Sequence, residues 1–199
     1  MWKTTLIAIR TTVVTLVLTG VAYPLVVTGM GQLLFSHRAN GSLVADERGR
    51  IVGSELIAQR FASPAYFWPR PSTAGDQGYD AAASSGSNLG PTSRKLRERM
   101  AAEIVRLRDT NPDAHGPVPV ELVTTSGSGL DPHLSPAAAR WQVPRVARAR
   151  RVAPERVRQV VAAYVESRDL GLLGERRVNV LLLNLALDRQ FGRPTDSGG

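Results

Sequence analysis

Between Arg10 and Arg38 no side chain carries a formal charge, and this gap is the strongest pattern in the chain. Thr11 to Ser36 places 15 Ala, Val, Leu, Met, Phe or Tyr side chains among 26 residues. A bilayer core of about 30 Å needs about 20 helical residues, so the run predicts one spanning helix with room to tilt. Gly20 and Pro24 weaken a helix in water but are tolerated in lipid. A cleaved signal peptide needs a shorter apolar stretch; here the apolar character continues to Phe35, and a retained anchor over residues 1–36 is the expectation. Lys3, Arg10 and the amino terminus make one short flank positive, whereas the other side is mixed from Asp46 onward. The positive-inside rule then puts the amino terminus in the cytoplasm and residues 37–199 outside.

Beyond the anchor the apolar periods are short. Ser42–Ala45 and Arg50–Val52 flank Asp46-Glu47-Arg48-Gly49 and predict a hairpin. Gly53 to Phe61 reads as a short helix with Leu56, Ile57 and Phe61 on one side. Residues 62–93 carry four Gly, six Ser and four Pro, an irregular stretch long enough to be functional or disordered. Tyr66, Phe67, Trp68 and Tyr79 lie within it and would pin it to a surface. Leu96, Met100, Ile104 and Leu107 then fall on one helical stripe, which Asn111-Pro112 ends. Val118, Val120, Leu122 and Val123 predict a strand. Ser135-Pro136 is a helix start, with serine as cap and proline in the first turn, and Pro144 divides the pattern into two pieces up to Arg150. Pro154 opens another helix, with Val157, Val160, Val161, Tyr164 and Val165 at helical spacing. Val178 to Leu187 fits a strand, a helix, or one after the other. The fold class is thus a single N-terminal transmembrane helix followed by one α+β extracytoplasmic domain, 37–199, with a long loop at 62–93.

Charge and composition narrow the chemistry. The chain has 25 Lys+Arg, 17 Asp+Glu, a net charge of +8 and no cysteine among its 199 residues. The missing cysteines exclude disulfides, thiolate metal sites and a cysteine nucleophile. His37, His115 and His133 are too scattered for a metal motif, so no metal site is expected. Arg140, Arg145, Arg148, Arg150, Arg151, Arg156 and Arg158 form a dense run. An extracytoplasmic domain offers it no nucleic acid, so a solvated face or acids of a neighbouring subunit are its expected partners.

Ser126 to Ser135 contains Ser126, Ser128, Asp131 and His133, the residue types of a hydrolytic triad. The nucleophile elbow Gly-x-Ser-x-Gly is not matched, because Ser126 and Leu130 occupy the flanking glycine positions. A phosphate-cradling loop lacks its Gly-Lys-Ser/Thr ending, and Asp131 adds charge of the wrong sign. A structural turn is the expected role, with a membrane-anchored hydrolase as the rival. Tyr66, Phe67, Trp68 and Arg70, together with Asn88, Asp131 and Arg145, are candidates for partner contact, since aromatic residues and arginine dominate interface hot spots. The anchor has no intramembrane charge to relay an ion, but its Thr and Gly residues suit close packing on other helices. The residues themselves point to an anchored accessory subunit.

Several segments, in order and spacing, resemble the C subunit of the Kdp potassium-transporting P-type ATPase of bacteria. They include Ala39-Asn40-Gly41-Ser42-Leu43, Tyr66-Phe67-x-x-Arg70-Pro71-Ser72, Ser85-Gly86-Ser87-Asn88-Leu89 and Ser128-Gly129-Leu130-Asp131. Val118 to Thr124, Trp141 to Ala147 and Val178 to Asp188 complete the set. Trp68-Pro69 stands where the family pattern has His-Gly, and Gly127 where it has alanine. The resemblance implies a non-catalytic subunit of a high-affinity potassium uptake complex in the bacterial inner membrane. ATP hydrolysis is then carried by a P-type subunit and potassium movement by a channel-like subunit, with ATP and potassium handled by the complex and no covalently bound cofactor. It also implies a catalytic chaperone that raises the ATP affinity of the hydrolysing subunit, with Gln142 as a nucleotide contact. ATP is cytoplasmic, however, whereas the charge flanks place Gln142 outside, so the residues' own reading makes Gln142 structural.

Overall fold

A computed structural model describes residues 1–46 and 48–194. The chain divides between Leu43 and Val44 into an N-terminal helical unit and an α+β unit. Trp2–Ala39 is one helical run of 38 residues, long and apolar enough to cross a membrane, with none of its residues buried. It comprises α1 (Trp2–Val17), a π-helical turn (Leu18–Ala22) and α2 (Tyr23–Ala39). The π turn has a local cause. Pro24 has no N–H and its ring crowds the carbonyl four residues back, at Gly20. The Tyr23 N–H correspondingly reaches five residues back to the Leu18 carbonyl.

The second unit begins with strands β1 (Leu43–Ala45) and β2 (Ile51–Ser54), which form the predicted two-stranded sheet. Asp46 closes its turn: Oδ1 accepts from the Arg48 and Arg50 N–H groups, both at 2.9 Å, and Oδ2 takes the Arg50 guanidinium at 2.9 Å. Backbone donation from Arg50, against the cost of burial, holds the Asp46 carboxyl well below the usual carboxylate range. The helix expected over 53–61 is absent. Gly53 and Ser54 finish β2, and the polar groups that follow find tertiary partners: the Glu55 carbonyl accepts from Asn179 Nδ2 at 2.7 Å and the Ala58 N–H donates to Leu130 at 2.9 Å.

Helix α3 (Arg94–Thr110) starts at a Ser93 cap, whose hydroxyl accepts from the Leu96 N–H at 3.3 Å. Its inner stripe is narrower than the spacing predicts. Leu107 is buried and Leu96 and Met100 are half-buried, but Ile104 is exposed. No strand forms at 118–123. Pro117 and Pro119 carry no N–H for a ladder, and Val120–Leu122 takes a single 3-10 turn that still buries Leu122. Helix α4 (Pro136–Arg150) continues through Pro144 as one element. A mid-helix proline costs about 3 kcal/mol, and α4 offsets that by burying Trp141, Gln142, Val143, Arg145, Val146 and Ala147 around it.

Helix α5 (Pro154–Ala163) packs Val157, Val160 and Val161 against α4. Strands β4 (Val165–Glu166) and β5 (Arg177–Asn179) pair antiparallel, and β3 (His133–Leu134) joins the other edge of β5, giving the order β3-β5-β4. Helix α6 (Val180–Phe191) follows β5 at once, capped by Asn179, whose Oδ1 accepts from the Leu182 N–H at 3.2 Å. The last apolar run is therefore a strand followed by a helix. The core lies between α4, α5, α6 and β5, and Phe67 from the long loop is fully buried in it.

Candidate functional site

The long loop is fastened to α4 and α6 by side chains that act as strand edges. Gln142 on α4 accepts from the Trp68 N–H at 2.9 Å and returns a bond from Nε2 to the Trp68 carbonyl at 3.0 Å. Asn184 on α6 does the same for Phe67, accepting its N–H at 2.8 Å and donating to its carbonyl at 3.0 Å. Two carboxamides thus satisfy both polar groups of two consecutive loop residues, the work a β-ladder does elsewhere. Both amides are fully or almost fully buried.

Arg145, one turn after Gln142 on the same buried face of α4, is 2% exposed. Its guanidinium donates to the carbonyls of Pro64 at 2.6 Å and Tyr66 at 2.9 Å and to Gln142 Oε1 at 2.7 Å. It also lies 3.7 Å from the centroid of the Trp68 ring, and Arg106 from α3 lies 4.7 Å from the same centroid. Among the described residues no carboxylate stands within ion-pairing distance of Arg145. Burial, with the charges of Arg106 and Arg148 adding to it, pushes its pKa down to about 9, so it remains a cation at neutral pH.

Alongside, Arg150 pairs with Asp188 at 2.8 Å and donates to the Ala65 carbonyl at 2.7 Å, while Tyr66 donates its hydroxyl to Asp188 at 2.9 Å. Burial first, and then the bond to Asp188, push the Tyr66 pKa up to about 12. The arginine run of the sequence therefore resolves into different roles. Arg145 and Arg150 hold the loop, Arg148 pairs with Asp113 and Arg158 with Glu155, and Arg156 lies over Phe191.

The Ser126–Ser135 segment meets the other end of the loop. Gly129 takes a left-handed φ of +69°, and a Cβ there would stand 2.4 Å from the Ser85 carbonyl oxygen. The Ser85 N–H donates to the Ser128 carbonyl at 2.9 Å, so Gly129 serves a close backbone crossing. Asp131 bridges Arg70 at 3.1 Å and the His133 N–H at 3.0 Å, with His133 Nδ1 3.6 Å away. Burial opposes its ionisation, but the His133 hydrogen bonds and the Arg70 charge outweigh that and hold its carboxyl below the usual value. The Ser128 hydroxyl accepts from the Leu130 N–H at 3.1 Å and lies 3.4 Å from Ser126 Oγ. The serine hydroxyls serve the local turn.

Of the residues singled out in the sequence, Phe67, Gln142 and Arg145 are buried, while Tyr66, Trp68, Arg70 and Asp131 are half-buried around them; Asn88 stands exposed, apart from this network, with a left-handed φ of 50°. Asn184 and the Arg150–Asp188 pair were not singled out. Asn184 had one signal, a carboxamide inside an otherwise apolar run, which needs a buried partner. Among the described residues no group of three or more His, Cys, Asp or Glu is placed to hold a metal.

Residues 5–189 match the family model described as KdpC: K+-transporting ATPase, c chain. A potassium-transporting ATPase KdpC subunit of Myxococcus xanthus is 69% identical over 197 residues, which is 99% of this chain and 93% of that protein. The subunit of the same name from Rhodospirillum rubrum is 56% identical over 174 residues, 87% of this chain and 89% of its own. That from Koribacter versatilis is 49% identical over 196 residues, 98% and 99% of the two chains. With the spanning-length helix, the carboxamide-clasped loop and a family match running through both, the chain belongs to the KdpC family, the c chain of the K+-transporting ATPase.

Proposed function

We propose that this chain is a membrane-anchored accessory subunit of a potassium-transporting ATPase complex, with no catalysis of its own, and that it assembles or stabilises that complex. ATP hydrolysis and potassium translocation belong to a P-type subunit and a channel-like subunit. The observation that carries this reading is the commitment of the chemically capable side chains. Gln142, Arg145 and Asp131 are engaged in fixing one loop to one domain, and the Ser128 hydroxyl in its own turn. Such a domain works by presenting a shaped surface. Its effect on ATP affinity is transmitted through the assembled subunits, because a nucleotide at Gln142 would have to displace both Trp68 and Arg145.

The same reading places the α+β domain on the extracytoplasmic face of the bacterial inner membrane, from the cationic flank of Lys3 and Arg10. Asp76 and Ala137 are exposed and report the orientation. Single cysteines there, in intact cells, are expected to react with a membrane-impermeant maleimide. Labelling only after the cells are opened overturns the orientation. The accessory role is tested by affinity purification of the full chain from detergent-solubilised membranes. Two larger subunits are expected to accompany it, and recovery of the chain alone counts against the role.

A further inference from the structure

A cleft of about 490 Å³ lies between α4, α5 and the segment that follows α3, within the size range of small-ligand sites. Pro117, Pro119 and Pro144 give it apolar walls without backbone N–H groups. Arg140, Arg158 and His115 line it as well, and among the described residues no carboxylate does. Asp113 and Glu155, acids of the adjoining segments, are paired with Arg148 and Arg158. Arg140 has no ion-pair or hydrogen-bond partner among the described residues. Trp141, beside it on α4, also lines the cleft and is 7% exposed. Its indole nitrogen is buried and meets no acceptor among the described residues, whereas the Trp68 indole donates to the Ser63 carbonyl at 3.1 Å. A buried indole N–H ordinarily has a partner. The walls are braced: Arg108 donates to the Gly116 carbonyl at 2.6 Å, and Asn111 Nδ2 to the Trp141 carbonyl at 2.7 Å.

We infer that this cleft is a binding site for a small carboxylic acid with a ring-sized apolar body. An orphaned buried donor and an unpaired guanidinium, with no acidic side chain on the walls, call for an anion. The planar fork of Arg140 matches a carboxylate with two parallel hydrogen bonds, and the Trp141 indole N–H is the second donor of the site. The exposed pair of Arg158 with Glu155 is worth little, so Arg158 is free to turn toward the ligand. Proline faces and the indole ring then cover the apolar body. A water would satisfy the indole N–H but leave the Arg140 charge uncompensated. A bare inorganic anion would answer that charge and leave the apolar walls empty.

The test uses the full chain in detergent micelles, with isotope-labelled indole nitrogens read by NMR and benzoate as the probe. The chain has three tryptophans, and the Trp141 signal is the one lost in Trp141→Phe. Benzoate is expected to move that signal saturably, with a Kd of about 1 mM. Arg140→Gln should weaken binding about tenfold, whereas Arg97→Gln, at an exposed position on α3, leaves it unchanged. Both arginines are exposed, so both variants melt within about 2 °C of the parent. Acetate and sulfate, which lack the ring, and benzyl alcohol, which lacks the charge, should each bind at least about tenfold more weakly than benzoate. A Trp141 signal that benzoate does not move overturns the site, and so does a shift that survives Arg140→Gln. Benzyl alcohol as effective as benzoate reduces the cleft to an apolar groove. Acetate or sulfate as effective reduces it to a patch of positive charge, and either result overturns the proposal.

Discussion

Gln142 and Trp68 lie 74 positions apart in the chain yet exchange two hydrogen bonds, one in each direction. The carboxamide on α4 thereby replaces a strand edge for the loop. Gln142→Ala removes the acceptor from both the Trp68 N–H and the Arg145 guanidinium and leaves them buried. Each orphaned buried group costs about 1–3 kcal/mol, so a loss of about 2–4 kcal/mol is expected in urea unfolding followed by tryptophan fluorescence. Asn184→Ala severs the neighbouring clasp on Phe67 from a different helix and should cost a comparable amount. The two variants should also change the ATP affinity of the assembled complex alike. An effect seen with Gln142→Ala alone would point to direct nucleotide contact and against the clasp.

Arg145 is the second part of the clasp, a buried cation surrounded by carbonyl oxygens and the Trp68 ring rather than by a carboxylate. A lysine can supply charge and three donors but neither the planar fork nor the stacking surface. Arg145→Lys is therefore expected to cost about 2 kcal/mol, and Arg145→Ala about 3–5 kcal/mol, because the carbonyls of Pro64 and Tyr66 lose their donors. The same unfolding measurement decides. Equal, small losses for both would show that the loop is held mainly by Phe67.

How much of this was legible follows the sequence separation of the partners. Helices α3, α4 and α5 announce themselves locally, through the apolar stripe from Leu96 to Leu107, the Ser135 cap, and Pro136 and Pro154 in first turns. The charge-free run at the amino terminus needs no partner to be read. Errors arose where tertiary contacts override local pattern. Pro144 reads as a breaker, but the burial of Trp141, Val143 and Val146 carries α4 through it. Val118 to Val123 has strand composition, yet Pro117 and Pro119 withhold the ladder donors. Gly53 to Phe61 looked helical because its alternative, backbone bonds to Leu130 and Asn179, comes from far along the chain. The site was half visible. Aromatic residues in the loop promised a pinned segment, but Asn184 pairs with Phe67 across 117 positions, and no local signal names that partner.

The glycines of the Ser126–Ser135 segment offer a clean contrast. Gly129→Ala would place a Cβ 2.4 Å from the Ser85 carbonyl oxygen and 3.0 Å from the Ala74 nitrogen, in a left-handed backbone. Neither backbone atom can step aside without moving the crossing, so a loss of about 2 kcal/mol or more is expected. At Gly127, by contrast, an added Cβ meets nothing within 4 Å. Gly127→Ala should be neutral or stabilise by up to about 1 kcal/mol through the unfolded chain. Thermal melts of the two variants in parallel distinguish a packing role from a shared role in binding, for which both would leave stability alone.

Asp131 supplies the pH dependence of the same crossing. Its carboxylate joins Arg70 of the loop to the His133 backbone ahead of α4, and its folded pKa lies below the ordinary carboxylate value of about 3.9. A depressed acid contributes stability that is fully present above the unfolded pKa. As the pH falls through the folded pKa the unfolded chain has already taken its proton, and the contribution disappears. Asp131→Asn keeps the shape and removes the charge, so it should cost about 1–2 kcal/mol at pH 7. The gap to the parent should hold above the unfolded pKa of about 3.9, narrow as the pH falls below it and close once the pH is below the folded pKa. Asp46, also depressed, titrates identically in both proteins and cancels from the difference. A parent–variant gap independent of pH would mean that Asp131 acts through its shape and its acceptor atoms, with the ion pair to Arg70 contributing nothing.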